Sequence, residues 1–194
     1  MYQENKKGEI IFYAKSGIFK GDCKIIDKYK VDSVVDIVEI SIVSELEKYQ
    51  RREYFRIDYI DSIKFRILSY KDEETGAIVD SDDVWHFGTM TNISGGGLRF
   101  NSADGTENAR KIQVRFKLKD NGNQSSKGTS DEDEKEFDID ADVVGVRIRA
   151  NTDKKFDYRI QFENIDKSDL ESIVRFVFER DRWMRKKSIG KNLQ

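Results

Sequence analysis

The chain has 194 residues, 37% of them charged and 37% hydrophobic, and a formal net charge of −2. That length allows one medium domain, or a small one joined to a domain of about 100–150 residues, and the near-balanced charge provides no basic field that would mark DNA or RNA as a partner. Cys23 is the one cysteine, which excludes an internal disulfide framework and fits a reducing compartment. No apolar run approaches the roughly 20 residues of a spanning helix, and the start, MYQENKKGEI, lacks the apolar stretch and cleavage site of a signal peptide. The expectation is a cytoplasmic protein without a membrane span. It has no proline, so its turns fall to Gly, Asn and Asp.

Segments 9–14, 21–27 and 33–43 alternate or are rich in β-branched residues and predict strands. Lys15-Ser16-Gly17 and a charged patch around Lys28 separate them. The run SELEKYQRREYFR is polar and basic with few β-formers before Tyr54. A boundary is expected there, dividing a short β-rich N-terminal domain over 1–48 from a second domain over 49–194.

From Arg56 the strand pattern resumes. Ile63, Phe65 and Ile67 alternate with Lys64 and Arg66, as a half-buried antiparallel strand requires. The acidic loop KDEETGAIVDSDD leads to strands at 84–92, 98–101 and 111–118. Residues 120–136 hold no apolar side chain and predict a mobile hairpin loop. Strands at 137–150 and 155–162 follow. Strands joined by turns without intervening helices imply a mainly β fold, a barrel or sandwich. One helix closes the chain. Asp166 and Ser168 are candidate N-caps, and Ser168-Asp169-Leu170-Glu171 has the form of a capping box. Leu170, Ile173, Val174, Val177 and Phe178 fall on an apolar stripe, and Arg180, Arg182, Arg185, Lys186 and Lys187 suit the negative end of the helix dipole.

Two motifs carry chemistry. In Gln50-Arg51-Arg52-Glu53-Tyr54-Phe55-Arg56 three guanidinium groups lie on one crossing, able to fork onto phosphate oxygens or a guanine edge and to stack on a purine. The same residues also read as a solvated basic stretch between domains. In Asn92-Ile93-Ser94-Gly95-Gly96-Gly97 the glycines permit positive φ and close backbone approach. Asn92 and Ser94 can reach base edges or cap the turn. Alone, this second run also reads as a glycine-rich turn.

Together, Arg52-x-x-x-Arg56 and, 40 residues after Arg52, Asn92-x-Ser94-x-x-Gly97 resemble the PilZ family. The resemblance extends over about 50–187, through Gly97-Leu98-Arg99-Phe100 and Tyr158-Arg159-Ile160-Gln161-Phe162. It implies an antiparallel PilZ β-barrel with a C-terminal α-helix that binds the bacterial second messenger cyclic di-GMP. It further implies a site of Gln50, Arg51, Arg52, Arg56, Asn92, Ser94, Gly96 and Gly97. Arg52 and Arg56 would hold phosphate and guanine, Asn92 and Ser94 would meet the other side of the base, and Gly96 and Gly97 would leave it room. The family often has Asp where Asn92 stands, and the lost charge weakens recognition of guanine N–H. Arg51 offers a further stacking group, which points to an intercalated ligand pair. The preceding strands resemble the end of the N-terminal domain of flagellar-brake PilZ proteins. That implies an output in flagellar motility or another surface-lifestyle response such as biofilm formation, with a motor component as protein partner. So short a sheet would bury little apolar area and would lean on the barrel.

An enzyme is not expected, and neither is a metal or cofactor. His86 is the single histidine, in a strand-like segment, and neither it nor Cys23 has a partner set for catalysis or metal binding. A single-stranded nucleic-acid barrel would need a positive groove with exposed aromatics, whereas these aromatics mostly alternate inward. The remaining alternative is a PilZ-like module that binds protein and no nucleotide.

Overall fold

The computed structural model describes residues 6–32, 34–81, 83–119, 134–150, 152–153 and 155–191, with side chains to Lys187. They form two compact units, Met1–Glu53 and Tyr54–Gln194. The division falls after Glu53, against the expected boundary after residue 48. A short strand, β4 (Glu47–Lys48), and the Tyr49 N–H donating to the Ile18 carbonyl at 2.8 Å tie residues 47–49 to the first sheet.

The first unit is an antiparallel sheet. β1 (Lys7–Ala14) and β2 (Gly17–Val31) form a hairpin, and β3 (Val35–Ile42) returns along the far end of β2. The charged patch around Lys28 does not break β2. Its charges alternate on solvated strand, Lys30 stands opposite Asp36 with Nζ 4.0 Å from Oδ1, and Tyr29 pairs with Ile37. The unit buries little apolar surface: Cys23 is 6% exposed, but Val34 is 81% and Tyr13 67% exposed.

The second unit is a closed ring with its core inside. β5 (Arg56–Lys71), β7 (His86–Ser94), β8 (Gly97–Ser102), β11 (Phe156–Phe162), β10 (Glu134–Ile148) and β9 (Ala109–Lys119) are neighbours in that order, and β9 pairs back onto β5. Each pairing is antiparallel. β6 (Ile78–Asp80), a short strand within the segment expected to be loop, pairs with Ser69–Lys71 of β5. The Asp72 carboxylate accepts from Thr75 N–H and Oγ1, which folds the intervening turn. The loop expected over 120–136 lies outside the described residues up to 133, and β10 begins at Glu134.

Strict alternation in β5, β9, β10 and β11 sends aromatic rings inward. Phe65, Phe100 and Tyr158 pack with centroids 4.8–5.7 Å apart. At the other end Phe116 stacks on Phe137 at 5.1 Å and on Phe162 at 6.2 Å. The Tyr158 hydroxyl, buried in the core, accepts the Thr106 N–H and donates to its carbonyl, each at 2.8 Å.

The helix α1 (Lys167–Lys191) starts one residue after Asp166, whose carbonyl accepts the Leu170 N–H at 2.9 Å. Asp166 therefore holds the N-cap position and Ser168 lies inside the first turn, so the capping box expected from Ser168 does not form. Ile173, Phe176 and Val177 are buried, with Phe176 edge-on to Tyr59 at 5.0 Å. Phe178, expected on this stripe, is 55% exposed. At 100° per residue it lies about 140° from Ile173, whereas Phe176 and Val177 flank it.

On the outer face one acid is buried. Asp157, 2% exposed, accepts Arg99 Nε at 2.7 Å, Arg99 Nη2, and Arg149 Nη2 at 3.1 Å. The hydrogen bond from Arg99 chiefly holds its carboxyl below the usual range, against the opposing effect of burial.

Two outcomes are expected in urea unfolding. Tyr158→Phe strands the Thr106 amide group and should cost about 1–3 kcal/mol. For Asp157 the native pKa is the lower one, so its contribution is present above the unfolded value of about 3.9 and is lost as pH falls through the native value. Asp157→Asn should therefore destabilise at neutral pH, and the two stability curves should converge in acid. Curves that stay parallel to the lowest pH would contradict the pairing.

Candidate ligand-binding face

Met90 and Ile93 both point into the barrel at 0% exposure. An odd separation of three between two inward residues needs one extra residue in the strand, and the register shift between Met90 and Asn92 supplies it. That bulge turns Asn92 outward.

Two rows of outward residues cross the sheet as a result. One runs Arg56, Ser94, Gly97, Gln161 over β5, β7, β8 and β11. The other runs Asp58, Asn92, Arg99, Arg159 and ends at Gly145 of β10. Neighbouring positions in a row are about 5 Å apart. A planar, hydrogen-bonding ligand can therefore meet several of them at once.

Local bonds set how these groups point. Asn92 Nδ2 donates to Asp58 Oδ1 at 3.2 Å. A carboxylate can only accept, so it holds the amide NH2 toward itself and leaves the Asn92 Oδ1 as the acceptor. Arg99 is anchored on Asp157, and the Arg159 guanidinium lies over Gly145, where a Cβ would come within 2.7 Å of Nη2. Ser94 is 2% exposed and its hydroxyl donates to the Gly97 carbonyl at 3.0 Å, closing the turn between β7 and β8.

The glycines of that turn have packing reasons of their own. The Tyr54 ring covers it: a Cβ on Gly95 would lie 2.5 Å from Tyr54 Cδ1 and 2.8 Å from Val174 Cγ2 of the helix, and one on Gly96 3.0 Å from Tyr54 Cδ2. Gly97, at φ 153°, sets its backbone against the Ile160 carbonyl with no room for a side chain.

The barrel thus brings together Arg56, Asn92, Ser94, Gly96 and Gly97. Gln50, Arg51 and Arg52 belong to the end of the first unit, where all three are exposed and Arg51 Nη1 donates to the Tyr13 hydroxyl at 3.0 Å. Asp58, Arg99 and Arg159 were not singled out from sequence, although they share the second row with Asn92. Their signal was strand parity: Arg99 lies two residues after Gly97, on the same face. His86 Nδ1 is 3.8 Å from Asp104 Oδ2 and its ring packs 5.3 Å from Phe65. Among the described residues no group of three or more His, Cys, Asp and Glu is placed to hold a metal, and no helix is long and apolar enough to cross a membrane.

Comparison with known proteins agrees with this architecture. The chain's fold is similar to that of the Bacillus subtilis inhibitor of motility MotI/DgrA, at 15% identity and a TM-score of 0.63 over 93% of this chain and 76% of that one. Escherichia coli YcgR, solved in complex with c-di-GMP, gives 18% identity and a TM-score of 0.45 over 94% and 68%. Klebsiella pneumoniae MrkH, also solved with c-di-GMP, gives 16% and 0.42 over 96% and 76%. No curated protein matches the chain in sequence. The PilZ domain model matches residues 50–179, and the chain belongs to the PilZ domain family.

Proposed function

We propose that this chain is a receptor for cyclic di-GMP rather than an enzyme, reading the nucleotide on the outer face of its barrel. The observation that carries the reading is the second row. It sets an acceptor held in orientation (Asn92 Oδ1), a carboxylate (Asp58) and two guanidiniums (Arg99, Arg159) on adjoining strands. Guanine offers N1–H and N2–H donors and O6 and N7 acceptors, so each of its edges has a partner there. Arg56, in the neighbouring row, serves phosphate and guanine, while Ser94, Gly96 and Gly97 shape the turn beside them. Arg52 is four residues from Arg56, a tether of at most about 14 Å, so it and Arg51 remain within reach of a ligand bound at Arg56, with Gln50 beside them. Arg51 is the group that would stack on a second, intercalated ligand molecule.

Charge-assisted bonds to the ligand would each contribute roughly 1.5–3 kcal/mol before ordering costs. Ordering of residues 50–52 by the ligand would bias how the N-terminal unit is presented to a partner. The likeness to an inhibitor of motility favours a flagellar motor component as that partner, in the cytoplasm. A second reading is a PilZ-like module that binds protein and no nucleotide. It has one observation in its favour: Ser94, Gly95, Gly96 and Gly97 are all explained by packing within the barrel.

Calorimetric titration with cyclic di-GMP, with GTP and cyclic di-AMP as controls, separates the readings. Selective binding is expected, and its stoichiometry distinguishes one ligand molecule from a pair. No heat from folded protein would leave the interaction module. Arg52→Ala and Arg56→Ala should each weaken binding by more than about tenfold without lowering the melting temperature, and unchanged affinity in both would sink the site. Asp58→Ala frees the Asn92 amide and should weaken guanine binding, with the thermal melt again unchanged.

A further inference from the structure

We propose that the C-terminal end of α1 docks on anionic phospholipid bilayers. The proposal stands independently of the nucleotide reading. The helix runs to Lys191, whereas the PilZ match ends at residue 179, so its last three turns lie beyond the matched residues. Those turns, 180–191, hold Arg180, Arg182, Arg185, Lys186, Lys187 and Lys191 against Asp181 alone, a net charge of +5. The whole chain carries −2, which leaves −7 for the rest. A net positive segment thus closes the helix of an acidic protein.

The helix dipole explains cations in a last turn. It does not explain basic side chains continued over three turns, nor the apolar group beside them. One side of α1 is taken up by the core, through Ile173, Phe176 and Val177, with Met184 packed against the same cluster. On the opposite side Arg175, Phe178, Arg182, Arg185 and Lys186 follow at helical spacing, and all five are exposed. Phe178 is 55% exposed, and its ring stacks at 6.4 Å and 12° on Phe55, itself 45% exposed. Trp183 sits at the flank between Arg180 and Lys187, whose charges lie 4.7 and 4.8 Å from its ring.

Exposed aromatic rings within a turn or two of clustered arginines and lysines are the composition of a helix lying in a bilayer interface. The rings enter the headgroup layer and the cations meet lipid phosphates. A planar anionic surface can engage Arg175, Arg182, Arg185 and Lys186 together, with the Phe178 ring among them. An acidic peptide in a groove would need walls, which an outward helix face does not provide. No helix among the described residues is long and apolar enough to cross, so the mode is to lie on the surface.

The test is co-sedimentation of the full chain with vesicles of phosphatidylcholine alone and of phosphatidylcholine with phosphatidylglycerol, at low and high salt. Binding to the anionic vesicles alone, released by salt, is expected. Soluble glycerophosphoglycerol at the same phosphate concentration should not compete. The triple variant R182E, R185E, K186E should lose more than about tenfold in binding. Phe178→Ser, with charge unchanged, should lose several-fold, and circular dichroism melts should show both variants folded. Absence of vesicle binding, equal binding to neutral vesicles, displacement by glycerophosphoglycerol, or capture by polyglutamate or nucleic acid but not by vesicles would each overturn the proposal.

Discussion

The ring depends on β5, which pairs with β7 along its first part and with β9 along its second, beside the short β6. Residues 56–65 pair with β7, and residues 63–70 pair with β9, so at Ile63–Phe65 the strand has a neighbour on each side. That double pairing turns an open sheet into a closed ring and leaves only the short β6 at an edge. Closure lets Phe65, Phe100 and Tyr158 meet across the interior from β5, β8 and β11. It also places Arg56 and Asp58, at the start of β5, directly beside Ser94 and Asn92 of β7. Arg56, the last residue of the arginine motif, and the asparagine–serine–glycine motif become neighbours because β5 begins where β7 ends.

The turn between β7 and β8 shows how packing and the proposed recognition share residues. Tyr54 lies on Gly95 and Gly96, Val174 of α1 approaches the same spot, and Gly97 presses its backbone on β11. Helix, turn and the first residues of the barrel are thus locked together around three glycines whose neighbours leave little or no room for a side chain. Above that support the bulge in β7 re-aims Asn92, and Asp58 sets the direction of its amide. The barrel groups of the proposed site are held by the fold before any ligand arrives, which would lower the ordering cost of binding.

Much of this was legible in the sequence because period-2 alternation is strong in β5, β9 and β11, where charged and apolar residues take turns. A mainly β fold, barrel or sandwich, with a single C-terminal helix followed, and the resemblance to the PilZ family added the closed barrel. Three features were hidden for physical reasons. A bulge changes which face a residue occupies without any distinctive residue at the shift, so the company of Asn92, Arg99 and Arg159 could not be read from spacing alone. Charged side chains on solvated strand do not interrupt it, so β2 runs through Lys28. At the helix start, Asp166 and Ser168 are both good caps, and only the hydrogen bond from Leu170 decides between them. The division between units was blurred by β4, a two-residue pairing too short to leave a pattern.

The most direct test is a nitrogen-15 NMR titration of the full chain with cyclic di-GMP. The account predicts amide shifts concentrated at Arg56, Asp58, Asn92 to Gly97, Arg99 and Arg159, together with Arg51 and Arg52, while the barrel core stays unperturbed. Shifts confined to the helix end or to the first sheet, or no shifts at all from folded protein, would contradict it.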